Sequence, residues 1–144
     1  MKRQKNRFSD SRELDMAEAY VLDAHAFAHY MTDDLPKRAD AILERVERQE
    51  SYIVIPAIAI AELIYVFERT KSEPKIWEMF ERIDIYPCFS IYPLDEKVLK
   101  IIPDVKLPEL HDRIIVATYI AVKAEGLITK DEEIRKSRLV KTIW

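Results

Sequence analysis

The 144-residue chain contains a single glycine, Gly126, and that scarcity alone removes a large set of functions. Glycine-rich phosphate loops such as GxGxxG and GxxxxGK[ST] need several backbone positions free of a Cβ, so dinucleotide-binding and ATPase readings fall. Cysteine is equally scarce. Cys88 stands alone, which excludes an internal disulfide and any paired-thiolate zinc site. Long apolar runs are missing too: the longest stretch without Asp, Glu, Lys or Arg is eleven residues, Ser51 to Ala61, against the roughly 20 needed to span a bilayer. No apolar segment follows the basic residues near Met1, so no secretory signal is expected, and the protein is expected to be cytoplasmic and to have no membrane partner. Side-chain amides are confined to Gln4, Asn6 and Gln49, a bias found in heat-adapted proteins.

What is present points to one globular domain. Hydrophobic residues make up 49% and charged residues 34%, the latter above the usual share of about 25%, which excludes a disordered, weakly hydrophobic chain. The net charge of -3 argues against a broadly basic nucleic-acid-binding surface and leaves room for a local basic groove. Residues 1–18 carry Lys2, Arg3, Lys5 and Arg7 without a sustained apolar period, and they read as a basic, disordered tail before a domain spanning 19–144.

Within the domain, short apolar runs alternate with helical spacings. Ala19 to Leu22 and Tyr52 to Ile55 read as buried strands, a third lies near Phe89 to Ile91, a fourth at Leu127 to Thr129 and a last at Val140 to Trp144. Between them, helices are expected around Ala26 to Tyr30, after Pro36, from Ala59 to Phe67, after Pro74, after the cap Asp95, and from Ile114 to Ala124 with Gly126 as the terminating glycine. Strands alternating with helices predict an α/β fold: a mostly parallel, doubly wound sheet covered by helices on both faces, in three layers.

Acids at strand exits are the first place to look for a site, because ligands of such sheets gather beyond the carboxyl ends of the strands. Asp23 ends the first strand and Asp131 follows the fourth, although helix capping or a turn explains an isolated Asp equally well. Glu62 is the only charged residue between Tyr52 and Phe67, and a carboxylate in apolar surroundings needs compensation, by a cation, an Arg partner or a wet stripe. Asp112 heads the apolar helix beside His111 and Arg113, where capping is the competing explanation.

The order of Tyr20-Val21-Leu22-Asp23-Ala24-His25, Pro56 through Glu62-Leu63, His111-Asp112-Arg113-Ile114-Ile115-Val116-Ala117 and Leu127-Ile128-Thr129-Lys130-Asp131 resembles a PIN domain, most closely the VapC-type toxins. The resemblance implies a divalent-metal-dependent ribonuclease, with Asp23, Glu62, Asp112 and Asp131 as catalytic and Mg2+- or Mn2+-binding acids, one or two ions being possible. Thr129 matches the family's hydroxyl position near the metal. Many members carry Ser or Thr directly after the first Asp, where this chain has Ala24. The family also implies a homodimer and an antitoxin protein as partner, with RNA as substrate. Hard ions favour oxygen ligands, which suits an all-carboxylate set. Because acids repel RNA, Arg113 and Lys130 are the candidates for meeting its phosphates. Apolar patches for pairing are expected on the Ile76 to Ile83 helix and on the first two helices. His25 and His29 stand four apart, but no further ligand supports zinc. The alternative of another class is a catalytically degenerate PIN-like scaffold serving as an interaction or regulatory module.

Overall fold

The structure is a computed structural model describing residues 18–144, so the expected basic tail lies outside it except for Glu18. Glu18 belongs with the domain: its carbonyl accepts from the Tyr52 amide at 2.9 Å, and its carboxylate takes Arg45 Nη2 at 2.8 Å.

Five strands, β1 (Ala19–Leu22), β2 (Tyr52–Pro56), β3 (Phe89–Tyr92), β4 (Gly126–Ile128) and β5 (Thr142–Ile143), form one sheet in the order β3-β2-β1-β4-β5. Every pairing is parallel. The central strands read as unbroken apolar runs because both faces are covered: all four residues of β1 and all three of β4 are buried. Seven helices supply the layers: α1 (Ala24–Met31), α2 (Lys37–Glu47), α3 (Ala57–Arg69), α4 (Pro74–Ile85), α5 (Glu96–Ile101), α6 (Leu110–Val122) and α7 (Glu132–Ser137). A 3-10 turn, Ile102–Asp104, continues α5. In α2 the buried positions Ala39, Ile42, Leu43 and Val46 follow the helical stripe. In α6 seven of thirteen residues are buried, as suits a helix packed on more than one side. None of the described helices is long and apolar enough to cross a membrane.

The expected glycine stop of α6 is corrected. Lys123 takes the left-handed conformation there, with φ 54°, and its amide reaches back to Tyr119 and Ile120. Gly126 instead opens β4 and has no positive φ. A Cβ there would stand 2.5 Å from Ile143 Cδ1 and 3.3 Å from Tyr20 Cδ1, so the end of the Ile143 side chain would have to shift to admit one.

The chain moves outward from β1 to β2 to β3, then returns to place β4 on the other side of β1. The order therefore reverses between β1 and β4, and a crevice at their carboxyl ends is the expected binding place. Asp23 and Asp131 leave the sheet there.

Candidate active site

Asp23 directly follows β1 and caps α1, its Oδ1 accepting from the Ala26 amide at 2.9 Å. It is 6% exposed. Burial raises its carboxyl above the ordinary range, opposed by hydrogen bonds from the Thr129 hydroxyl and the Ala26 amide and by His25. Thr129, fully buried just after β4, also accepts the Asp131 amide at 3.0 Å. One hydroxyl thus joins the two strand-exit acids. Asp131 caps α7 through Ile134 N at 3.0 Å. The capping roles considered for both Asp residues are real, and each uses one carboxylate oxygen.

Asp112 is different. The cap of α6 is Glu109, whose carboxylate accepts the His111 amide at 3.5 Å, and Asp112 sits in the first turn. Capping does not explain it. Desolvation, then Asp131, Glu109, Glu62 and Asp23, push its carboxyl up to about 6. Glu62 on α3 is half-buried; its compensation is His111 Nδ1 at 3.4 Å rather than an Arg. Burial raises its carboxyl as well, against the pull of His111 and His25.

All four acids line one cavity of about 200 Å³, together with His25, Glu109 and His111. Glu109 went unnoticed in the sequence, where nothing separates it from other charged loop residues except its place three before Asp112. Arg113 donates Nε to Val105 O and Nη2 to Ile102 O, each at 3.0 Å, and neither Arg113 nor the exposed Lys130 lines the cavity. The cation-capable groups of its lining are His25 and His111. His29 is elsewhere, bonded to Asp34 at 3.1 Å and edge-on to Trp144.

The donor chemistry fits a hard divalent ion. Burial and mutual repulsion hold Asp23, Glu62 and Asp112 above their ordinary values, so positive charge at their centre would relieve all three. Among the described residues no three acidic, His or Cys side chains form a ready-made cage. Mg2+ does not need one, since it keeps several waters and takes one or two carboxylates plus substrate phosphates.

A doubly wound α/β domain with an acidic cavity at its switch point defines a class, and the family follows. The PIN domain model matches residues 20–138, and the chain belongs to that family. Its fold is similar to that of VapBC2 from Rickettsia felis bound to a promoter DNA fragment, at TM-score 0.69 and 16% identity over 87% of this chain and 97% of the other. It is similar also to FitAcB from Neisseria gonorrhoeae, at TM-score 0.66 and 22% identity over 87% and 96%. A toxin-antitoxin complex from Klebsiella pneumoniae gives TM-score 0.58 and 17% identity over 87% and 96%. No curated protein sequence matches the chain.

Proposed function

We propose that the protein is a Mg2+- or Mn2+-dependent ribonuclease and the toxin of a type II toxin-antitoxin pair. The observation that carries this reading is the convergence of Asp23, Glu62, Asp112 and Asp131 in one cavity at the sheet's switch point, in a family whose members are generally nucleases. When bound, the ion supplies Lewis-acid charge at the phosphate and an activated water. Asp23 and Asp112 are the first choices to hold it, with Glu62 and Asp131 ligating or orienting its waters. The buried Thr129 hydroxyl donates to the Asp23 carboxylate and accepts the Asp131 backbone amide, and so ties the Asp23 side chain to the backbone that carries Asp131. With Ala24 after Asp23, no hydroxyl from that position contributes. His25 and His111 stand at the cavity where RNA phosphates would arrive.

One of the similar structures above is a toxin-antitoxin complex, which supports an antitoxin partner for this chain. Pairing of two copies has an apolar surface available: Trp77 is 72% exposed and Ile85 61%, beside a groove shared with Phe80, Glu81 and Asp84 on α4. The patch expected on the first two helices is corrected: the large exposed apolar side chains of the described residues lie on α3, where Tyr65 and Val66 project, and beyond, because α1 and α2 turn theirs inward.

Cleavage of RNA in millimolar Mn2+ and its loss in EDTA test the enzyme. Full activity in EDTA would overturn metal dependence, and no cleavage in either would favour the degenerate scaffold. Light scattering at micromolar concentration tests the dimer.

A further inference from the structure

Arg113 sits next to Asp112, and successive helical residues point about 100° apart, so the two serve different sides of α6. Its guanidinium reaches back eight and eleven residues to Val105 O and Ile102 O. Each carbonyl already accepts a backbone amide, Ile102 O from Val105 and Val105 O from Leu107. The fork therefore adds a second donor to each carbonyl at the end of α5 and its 3-10 turn, where the helix dipole favours a cation. Val105 and Leu107 are buried. The segment so held runs directly into Glu109, the cap of α6, and then Asp112.

Asp112 shares its cavity with Asp23, Glu62, Glu109 and Asp131. A carboxylate among other carboxylates is repelled as the anion, so its place in the cavity depends on how firmly its backbone is held. We propose that Arg113 is a positioning residue, whose two-pronged clamp on Ile102 and Val105 holds the head of α6 and thereby keeps Asp112 in the acidic cavity for metal capture. The proposal rests on the metal-dependent reading of that cavity. A lysine keeps the charge and loses the fork.

The full chain and its Arg113→Lys and Lys106→Ala variants decide the matter. Lys106 also donates to this segment, to Pro103 O at 3.0 Å, but from the surface. Two quantities are read: the Mn2+ concentration at half-maximal cleavage and half-maximal thermal stabilisation, and amide hydrogen exchange of residues 109–113 in EDTA. Arg113→Lys should raise the Mn2+ midpoint by about 10-fold or more, the size usual for losing a ligand's support, with the rate at saturating Mn2+ nearly restored. It should also speed exchange at the α6 head, while Lys106→Ala changes neither. A lower melting temperature with midpoint and exchange unchanged would make Arg113 merely structural and overturn the proposal. If Arg113→Lys does not fold, Arg113→Gln is read the same way. If the wild type neither cleaves RNA nor responds to Mn2+, the ribonuclease reading fails on its own; exchange then decides, with faster exchange supporting the clamp and unchanged exchange ending it.

Discussion

On the strand side of the cavity, Asp23 and Asp131 each give one carboxylate oxygen to a helix N-terminus, whereas on the helix side Glu62 and Asp112 cap nothing and face His111 and other acids. The strand-side acids are held by bonds that folding itself requires. On the helix side Glu62 meets His111 at 3.4 Å, while Asp112 stands among acids that repel it. Function asks the same of both pairs, a concentrated negative charge, but the strand side adds two helix caps that the helix side lacks, even though burial raises the Asp23 carboxyl too. Substitutions should therefore agree in activity and disagree in stability.

The largest expected effect is on cleavage. Asp23→Asn and Asp112→Asn should each lower Mn2+-dependent RNA cleavage by about 100-fold or more, roughly 2.7 kcal/mol in the barrier, because each removes an anionic oxygen without changing shape. Rates at saturating RNA and Mn2+ measure it. If one substitution leaves the rate intact, that half of the cavity is no part of the site.

Thr129→Val should come next, at about 10-fold. It keeps the volume but removes the donor to Asp23 and the acceptor of the Asp131 amide, loosening both strand-side acids. Thr129→Ser should recover most of the rate. A serine variant as poor as valine would mean that the methyl group, not the hydroxyl, matters.

Stability then separates the halves. At residue 131, Asn preserves the cap and Ala destroys it, so Asp131→Asn should exceed Asp131→Ala by about 1 kcal/mol in metal-free unfolding. At residue 112 the same pair should differ little, because Glu109 caps α6. Denaturant midpoints in EDTA give both differences, and equal gaps at the two positions would erase the distinction.

Much of this was legible in the sequence, and the exceptions share a cause. The strands Ala19 to Leu22 and Tyr52 to Ile55 could be read because parallel strands buried on both faces are continuous apolar runs. Asp23 and Asp131 could be placed because a strand exit fixes its residue at the sheet's carboxyl edge. The carbonyl contacts of Arg113 could not be read: a residue's neighbours along the chain do not tell which way a long side chain turns, and its partners lie at the 3-10 turn that ends α5 and just after it. Gly126 misled for a similar reason. A glycine after an apolar helix is the usual stop signal, but the approach of Ile143 and Tyr20 that crowds a Cβ there comes from strands far off in sequence. His111, visible beside Asp112, acquires its partner Glu62 only when α3 meets α6.

The smallest effect is also the most diagnostic, since it isolates the electrostatic strain of the helix side. Asp112 has an ordinary pKa of 3.8, raised to about 6 in the folded protein, first by desolvation and then by Asp131, Glu109, Glu62 and Asp23. A raised acid favours the native state most when protonated, so its contribution is fully present below 3.8 and is lost as pH rises through about 6. Without metal, the wild type should therefore lose stability between pH 4 and pH 7 relative to Asp112→Asn, which carries no such charge. Solvent reaches this half-buried carboxyl, and after allowing for screening the loss is about 1 kcal/mol, or a few degrees in melting temperature. In EDTA at pH 8 Asp112→Asn should melt a few degrees above wild type, and near pH 4 the two should converge. Millimolar Mn2+ at pH 8 should reverse the order, because the ion stabilises only a protein that retains the carboxylate. A gap that persisted unchanged to pH 4 would mean that packing rather than charge separates them, and the contrast between the two halves of the cavity would then rest on capping alone.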